Sequence, residues 1–165
     1  MKTIPIILVI LIGSFGLMWW GKSVQRPISA ATGPIAGATN ALIAPERLYD
    51  FGTIRMANGN VSHVFKVTNP TGEDINVKSV YTSCMCTAAY IVNGGSRKGP
   101  FGMQGMGYVP PADEVIKAGE TRDIEVVYDP NAHGPAGVGS IDRLVYLTDE
   151  NGGTLQLEIK AVVTP

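Results

Sequence analysis

The sequence predicts an all-β protein: an antiparallel β-sandwich of about seven short strands, preceded by one N-terminal transmembrane helix. Three observations predict it. Residues 4–20 are an unbroken apolar run without a charge. From residue 47 onward, short runs of alternating apolar and polar residues are separated by turn signals, and no helical period appears after residue 44. Glycine (20) and proline (11) are abundant, which suits turn-rich β structure.

The totals limit the function classes. The 165 residues suffice for one domain and a tail. Charged residues are 16% and the formal net charge is −1, with no local basic cluster, so nothing supports nucleic acid as a partner. Two cysteines cannot build a disulfide framework. They can form one local bond, one metal chelate, or two free thiols.

The first element is the apolar run that follows Lys2 and ends at Trp19-Trp20. About 17 helical residues at 1.5 Å rise span roughly 25 Å, the short end of what crosses a bilayer. The tryptophan pair suits the membrane interface. A cleaved signal peptide needs a small-residue site close behind the apolar core, but Ser29-Ala30-Ala31 lies beyond Lys22 and Arg26. Residues 1–22 therefore read as an uncleaved signal anchor, making the protein single-pass with its domain facing the periplasm or cell exterior. Residues 23–45 are rich in Ala, Gly, Thr and Ser with almost no charge. They read as a flexible tether, reaching some 25 Å on average by random-coil scaling.

Residues 46–165 are the domain. Leu48-Tyr49-Asp50-Phe51-Gly52-Thr53-Ile54 is the first strand, and Asn58-Gly59-Asn60 the turn after it. In residues 61–69, Val61, His63, Phe65 and Val67 share one face. Pro70-Thr71-Gly72 turns the chain. Residues 75–80 alternate, with a shift near Ser79. Residues 81–91 form a strand that carries Thr82-Ser83-Cys84-Met85-Cys86-Thr87. A long loop insertion follows at about residues 92–117. Residues 121–128 are a strand stopped by Asp129-Pro130, and residues 131–140 a glycine-rich loop. Residues 141–148 and 155–163 pair across Glu150-Asn151-Gly152-Gly153. With no tryptophan after Trp20, the core must rest on Val, Ile, Leu, Phe51 and Phe65.

Several of these pieces together resemble one bacterial family. They are Tyr49-Asp50-Phe51-Gly52-Thr53-Ile54, residues 61–69, Ser83-Cys84-Met85-Cys86-Thr87, and Ala118-Gly119-Glu120 followed by residues 124–130. The family is domain of unknown function 1573, an Ig-like sandwich related to hydin-type and major-sperm-protein-like domains. The resemblance spans residues 46–163. Its most specific piece is Ser-Cys-x-Cys-Thr, where glycine is usual between the cysteines and this chain has Met85. The resemblance implies an extracytoplasmic Ig-like module and no settled activity. The segment between Cys86 and Gly119 is longer than the family pattern.

In an extended strand Cys84 and Cys86 project from one face, with Cα atoms about 6.6 Å apart at 3.3 Å per residue. A disulfide needs Cβ atoms within about 3.5–4.5 Å, so a local bridge requires a bend and would be strained and easily reduced. Three readings stay open. The cysteines are buried small hydrophobes, a redox-active local disulfide, or soft ligands for copper or zinc. Two ligands do not close a metal site. The available additions are Met103, Met106 and His133, with His63 better placed as a strand-face residue.

The long loop combines glycines with Phe101, Met103, Met106 and Tyr108. It reads either as an interaction surface or as an ordered flap over the end of the sandwich. No nucleophile elbow, phosphate loop or HExxH is present, and two histidines with scattered carboxylates define no triad. The first functional expectation is thus a membrane-anchored, extracytoplasmic module for protein interaction or envelope assembly, without catalysis and without a required cofactor. The alternative is a thiol protein, binding copper or another soft metal or passing electrons, through Cys84 and Cys86.

Overall fold

The computed structural model describes residues 41–165. The expected anchor and all but the end of the expected tether lie outside the described residues. Among the described residues no helix is long and apolar enough to cross a membrane.

Nine strands follow in order among the described residues: β1 (Leu48–Arg55), β2 (Val61–Thr68), β3 (Ile75–Thr82), β4 (Thr87–Asn93), β5 (Ser96–Phe101), β6 (Glu114–Ile116), β7 (Thr121–Tyr128), β8 (Gly139–Asp149) and β9 (Thr154–Thr164). They form a five-stranded sheet, β1-β9-β8-β3-β6, and a four-stranded sheet, β2-β7-β4-β5. All neighbours are antiparallel except β1 and β9. This is the expected Ig-like antiparallel sandwich, with two more strands than the turn signals suggested.

Alternation sends one face of each strand inward. Phe65 and Val67 of β2, Val77 and Val80 of β3, Ile124 and Val126 of β7, Val145 and Leu147 of β8, and Leu155, Leu157 and Ile159 of β9 are all buried. Each such side chain contributes about 1.5–3 kcal/mol by leaving water. The shift expected near Ser79 is real: the β3–β8 register slips between Val77 and Ser79, so Val80 returns to the core. The β8–β9 hairpin is closed by Asp149, whose Oδ1 accepts from the amides of Asn151 and Gly153 at 2.8 and 2.9 Å.

Four expectations change. First, the loop insertion holds β5 and β6. A two-residue turn with Gly94 and Gly95 at φ 55° and 90° folds β5 back onto β4. At Gly99 an added Cβ would stand 2.9 Å from the Ala89 carbonyl oxygen, so only glycine lets β5 lie that close. Second, Phe101, expected on an exposed interaction loop, ends β5 as a core residue 1% exposed. Phe51, expected in the core, packs half-buried at its margin. Third, packing begins before residue 46. Leu42 and Ala44 are buried, and Ile43 exchanges backbone hydrogen bonds with Thr68 at 2.9 and 2.8 Å. Fourth, the cysteines are not in a strand. Residues 83–86 are a tight crossover carrying the chain from β3 in one sheet to β4 in the other.

Candidate functional site

The crossover is shaped by Thr82. This residue is 2% exposed, and its Oγ1 lies 3.0 Å from both the Cys84 and the Thr87 carbonyl oxygens. The Thr87 amide also donates to Cys84 O at 3.1 Å. A threonine hydroxyl that satisfies local carbonyls competes with the sheet ladder, and here it bends the chain where the sequence alone suggested extension. Both flanks are tied down. Ser83 N donates to Leu144 O and Leu144 N donates to Ser83 Oγ, each at 2.9 Å. The Asp129 amide donates to Cys86 O at 2.9 Å.

The bend brings the Cα atoms of Cys84 and Cys86 to 5.3 Å, and the two are joined in a disulfide. That separation is shorter than an extended strand allows and lies within the usual disulfide range. The two sulfurs differ in access: Cys84 is partly exposed and Cys86 is buried at 3%. Met85 between them points to solvent at 52% exposure.

Two further side chains converge here, one on each sulfur. His133 Nε2 lies 3.3 Å from Cys84 Sγ. The loop after β7 presents it: Asp129 Oδ1 accepts from the Asn131 amide at 2.8 Å, and Asn131 Nδ2 donates to Met56 O at 3.0 Å. The following 3-10 turn, Gly134–Gly137, returns so closely that a Cβ on Gly137 would stand 3.3 Å from Pro130 O and 3.4 Å from His133 Cβ. Of the sequence's candidate ligands, Cys84, Cys86 and His133 thus meet, with ligating atoms all within 4.8 Å of one another.

On the other side, Arg143 Nε donates to Cys86 Sγ at 3.2 Å, and its Nη1 donates to Asp142 O at 2.8 Å. Ile141, Arg143, Val145 and Leu147 alternate along β8, so Arg143 stands in the inward phase of the strand, partly buried between buried Ile141 and Val145. Among the described residues no carboxylate pairs with it. Sequence reasoning missed Arg143. The signal was available: an arginine in the apolar phase of an alternating strand is costly without an anionic partner. Tyr128, the last residue of β7, has its pKa raised by burial; Arg143 lowers it and Asp129 raises it further.

The other candidates fall elsewhere. Met103 is partly buried, and its backbone forms an isolated bridge with Thr82, two residues before Cys84. Met106 and Tyr108 are 58% and 86% exposed. His63 pairs with Glu46 at 2.8 Å and stacks on Tyr49 with ring centroids 3.6 Å apart, closing the side of the sandwich between β1 and β2.

Residues 42–99 match the model of a family described as protein of unknown function (DUF1573). The resemblance carried by the strands and the Ser-Cys-x-Cys-Thr segment is thereby borne out over that stretch. No curated protein matches the chain. Among solved structures, the chain is similar to a protein of unknown function from Porphyromonas gingivalis W83, at 15% identity and TM-score 0.53, covering 78% of this chain and 51% of that one. It is also similar to a PapD-like domain of human CEP192, at 10% identity and TM-score 0.48, covering 84% and 96%. A third is the secreted serine protease VesC from Vibrio cholerae, at 18% identity and TM-score 0.46, covering 76% and 24%. The chain spans about half the length of the Porphyromonas protein and a quarter of the protease. Identities this low express likeness of fold alone.

Proposed function

We propose that this Ig-like domain is an extracytoplasmic thiol module, held at a membrane by residues 1–22, whose Cys84–Cys86 pair exchanges two electrons with the thiols of a protein partner. The observation that carries the reading is Arg143. A partly buried guanidinium, without a carboxylate partner among the described residues, donates to Cys86 Sγ. Disulfide sulfur is a weak acceptor, whereas a thiolate is an anion that such a cation stabilises. The site is therefore built for the reduced state of Cys86 as well as the oxidised one.

The difference in access gives the order of steps. A partner thiolate attacks the accessible Cys84 Sγ, forming a mixed disulfide and expelling Cys86 as a thiolate beside Arg143. A second partner thiol then displaces Cys84. The partner gains a disulfide, and the pair takes up two electrons: one proton settles on Cys84 Sγ, Cys86 stays a thiolate beside Arg143, and the partner's other proton goes to solvent. A stabilised leaving thiolate speeds such exchange. This is stoichiometric electron transfer and needs no further catalytic group. The exposed Met106 and Tyr108 supply adaptable surface for the partner on the neighbouring loop.

Alkylation and mass measurement of the full-length protein in detergent test the reading. The untreated chain should show no free thiol and the dithiol-treated chain two. Presented with the partner in its disulfide form, Cys86→Ser should trap a mixed disulfide through Cys84, and Cys84→Ser should not. A bridge that resists reduction under native conditions would sink the proposal. Labelling of Cys84 by an impermeant reagent in intact reduced cells checks the placement; labelling only after lysis contradicts it.

A further inference from the structure

We infer that the reduced pair is a copper(I) site, in which Cys84 Sγ, Cys86 Sγ and His133 Nε2 hold one Cu(I) ion. The inference rests on the reading above, because it requires the bridge to open. It identifies the ligand that the reduced form takes.

The donor set comes first. Two thiolates and one imidazole are soft to borderline ligands, suited to Cu(I) or Zn(II) and not to hard cations. Their ligating atoms already lie within 4.8 Å of one another, before any rearrangement. A metal about 2.3 Å from sulfur and about 2.0 Å from nitrogen sets its ligand atoms about 3.5 Å apart. The His133 Nε2 to Cys84 Sγ distance is 3.3 Å, close to that requirement. The two sulfurs need only move apart once their bond is reduced, and side-chain rotation within the crossover supplies that.

Charge and ligand number then choose the metal. Two thiolates carry −2, and Arg143 beside Cys86 Sγ carries +1. A monovalent ion makes the cluster neutral, whereas a divalent ion leaves +1 in a half-buried place, an unfavourable residue of charge. Zinc in closed sites takes four protein ligands, and three His and Cys donors meet here among the described residues. Three donors suffice for Cu(I). Exposed His133 and partly exposed Cys84 give the ion a path from solvent, while buried Cys86 and Arg143 close the inner side. His63 is committed to Glu46 and Tyr49, and exposed Met106 is not required.

Loading moves no electron. The reduced pair, a Cys84 thiol and a Cys86 thiolate, and one Cu(I) give the bis-thiolate complex and one released proton. The disulfide form offers no thiolate and takes no copper, so oxidation state decides occupancy.

The test uses the full-length protein in detergent under anaerobic conditions. It is reduced with a phosphine, freed of reductant, and titrated with Cu(I) against the chromogenic chelator bathocuproine disulfonate. One Cu(I) per chain is expected for the reduced protein and none for the disulfide form. Loss of an outer-shell partner costs a metal site about 10–100-fold, so removing the ligand in His133→Ala or His133→Gln should weaken copper by at least about tenfold. Met106→Ala should leave it unchanged. Arg143→Gln should shift the Cu(I)-over-Zn(II) preference toward zinc by about 10–100-fold. Two free thiols with no bound copper, or full affinity in both His133 variants, overturns the copper site and leaves the redox reading standing. Failure to generate free thiols in the folded protein overturns both.

Discussion

Arg143→Gln isolates the contribution of the guanidinium to the redox balance of the cysteine pair. At the 3.2 Å observed between Arg143 Nε and Cys86 Sγ, a pair of unit charges attracts by about 5 kcal/mol at an effective dielectric of about 20. Arg143 is only partly buried, and both groups give up hydration, so the net effect is smaller. Hydrogen bonds to charged groups contribute about 1.5–3 kcal/mol. The stabilisation acts on the thiolate and far less on the disulfide, so its loss favours the oxidised form. With 30 mV equal to about 1.4 kcal/mol for a two-electron couple, the reduction potential should fall by roughly 30–65 mV. The assay equilibrates full-length wild type and variant in graded glutathione couples, then counts alkylated thiols by mass. Thermal unfolding of both forms confirms that the variant is folded. A potential unmoved within about 10 mV, or one that rises, would refute the argument that Arg143 is placed for the thiolate.

Other expectations follow from the same geometry. Thr82→Val keeps the shape but removes the one hydroxyl proton shared between the Cys84 and Thr87 carbonyl oxygens, which should cost about 1–3 kcal/mol in urea unfolding. Phe101→Ala opens a core cavity and should cost about 3–5 kcal/mol, whereas Tyr108→Ala, at 86% exposure, should stay within about 0.5 kcal/mol by the same measurement. Tyr128 has a folded pKa raised above the ordinary 10.0 by burial. The folded state then holds the phenolic proton more tightly than the unfolded chain, so this contribution is intact below pH 10 and declines as pH rises past it. The urea midpoint of wild type should fall above pH 10 more steeply than that of Tyr128→Phe.

Most of the sandwich was legible because its central strands have one wet and one dry face. The pattern Val61, His63, Phe65, Val67 sets β2, and the phase slip at Ser79 is visible in the residues themselves. The peripheral strands were hidden for a physical reason. In β5, Ser96-Arg97-Lys98-Gly99-Pro100-Phe101 buries only its last residue, so it has no alternation to read. Its pairing comes from the Gly94-Gly95 turn and from backbone contact at Gly99. The short β6 is likewise set by pairing with β3. At the site, the cysteines and His133 were visible as residue types, but their meeting depends on loops distant in sequence. The error of placing the cysteines in a strand has one source. Threonine favours strands in general, yet buried Thr82 turns its hydroxyl onto the local backbone and bends it.

The bridge between Cys84 and Cys86 encloses a single residue, Met85. Cross-linking so short a loop removes little freedom from the unfolded chain: the chain-entropy relation gives less than about 2 kcal/mol, against about 3 for a 15-residue loop. The crossover is held instead by Thr82, by the paired hydrogen bonds of Ser83 with Leu144, and by the Asp129 amide. Opening the sulfur bond therefore leaves the two sheets joined as before. The bonds that hold the crossover and the sulfurs that form the bridge are different atoms, so on the proposed redox reading the covalent state can change without loosening the contact between the sheets.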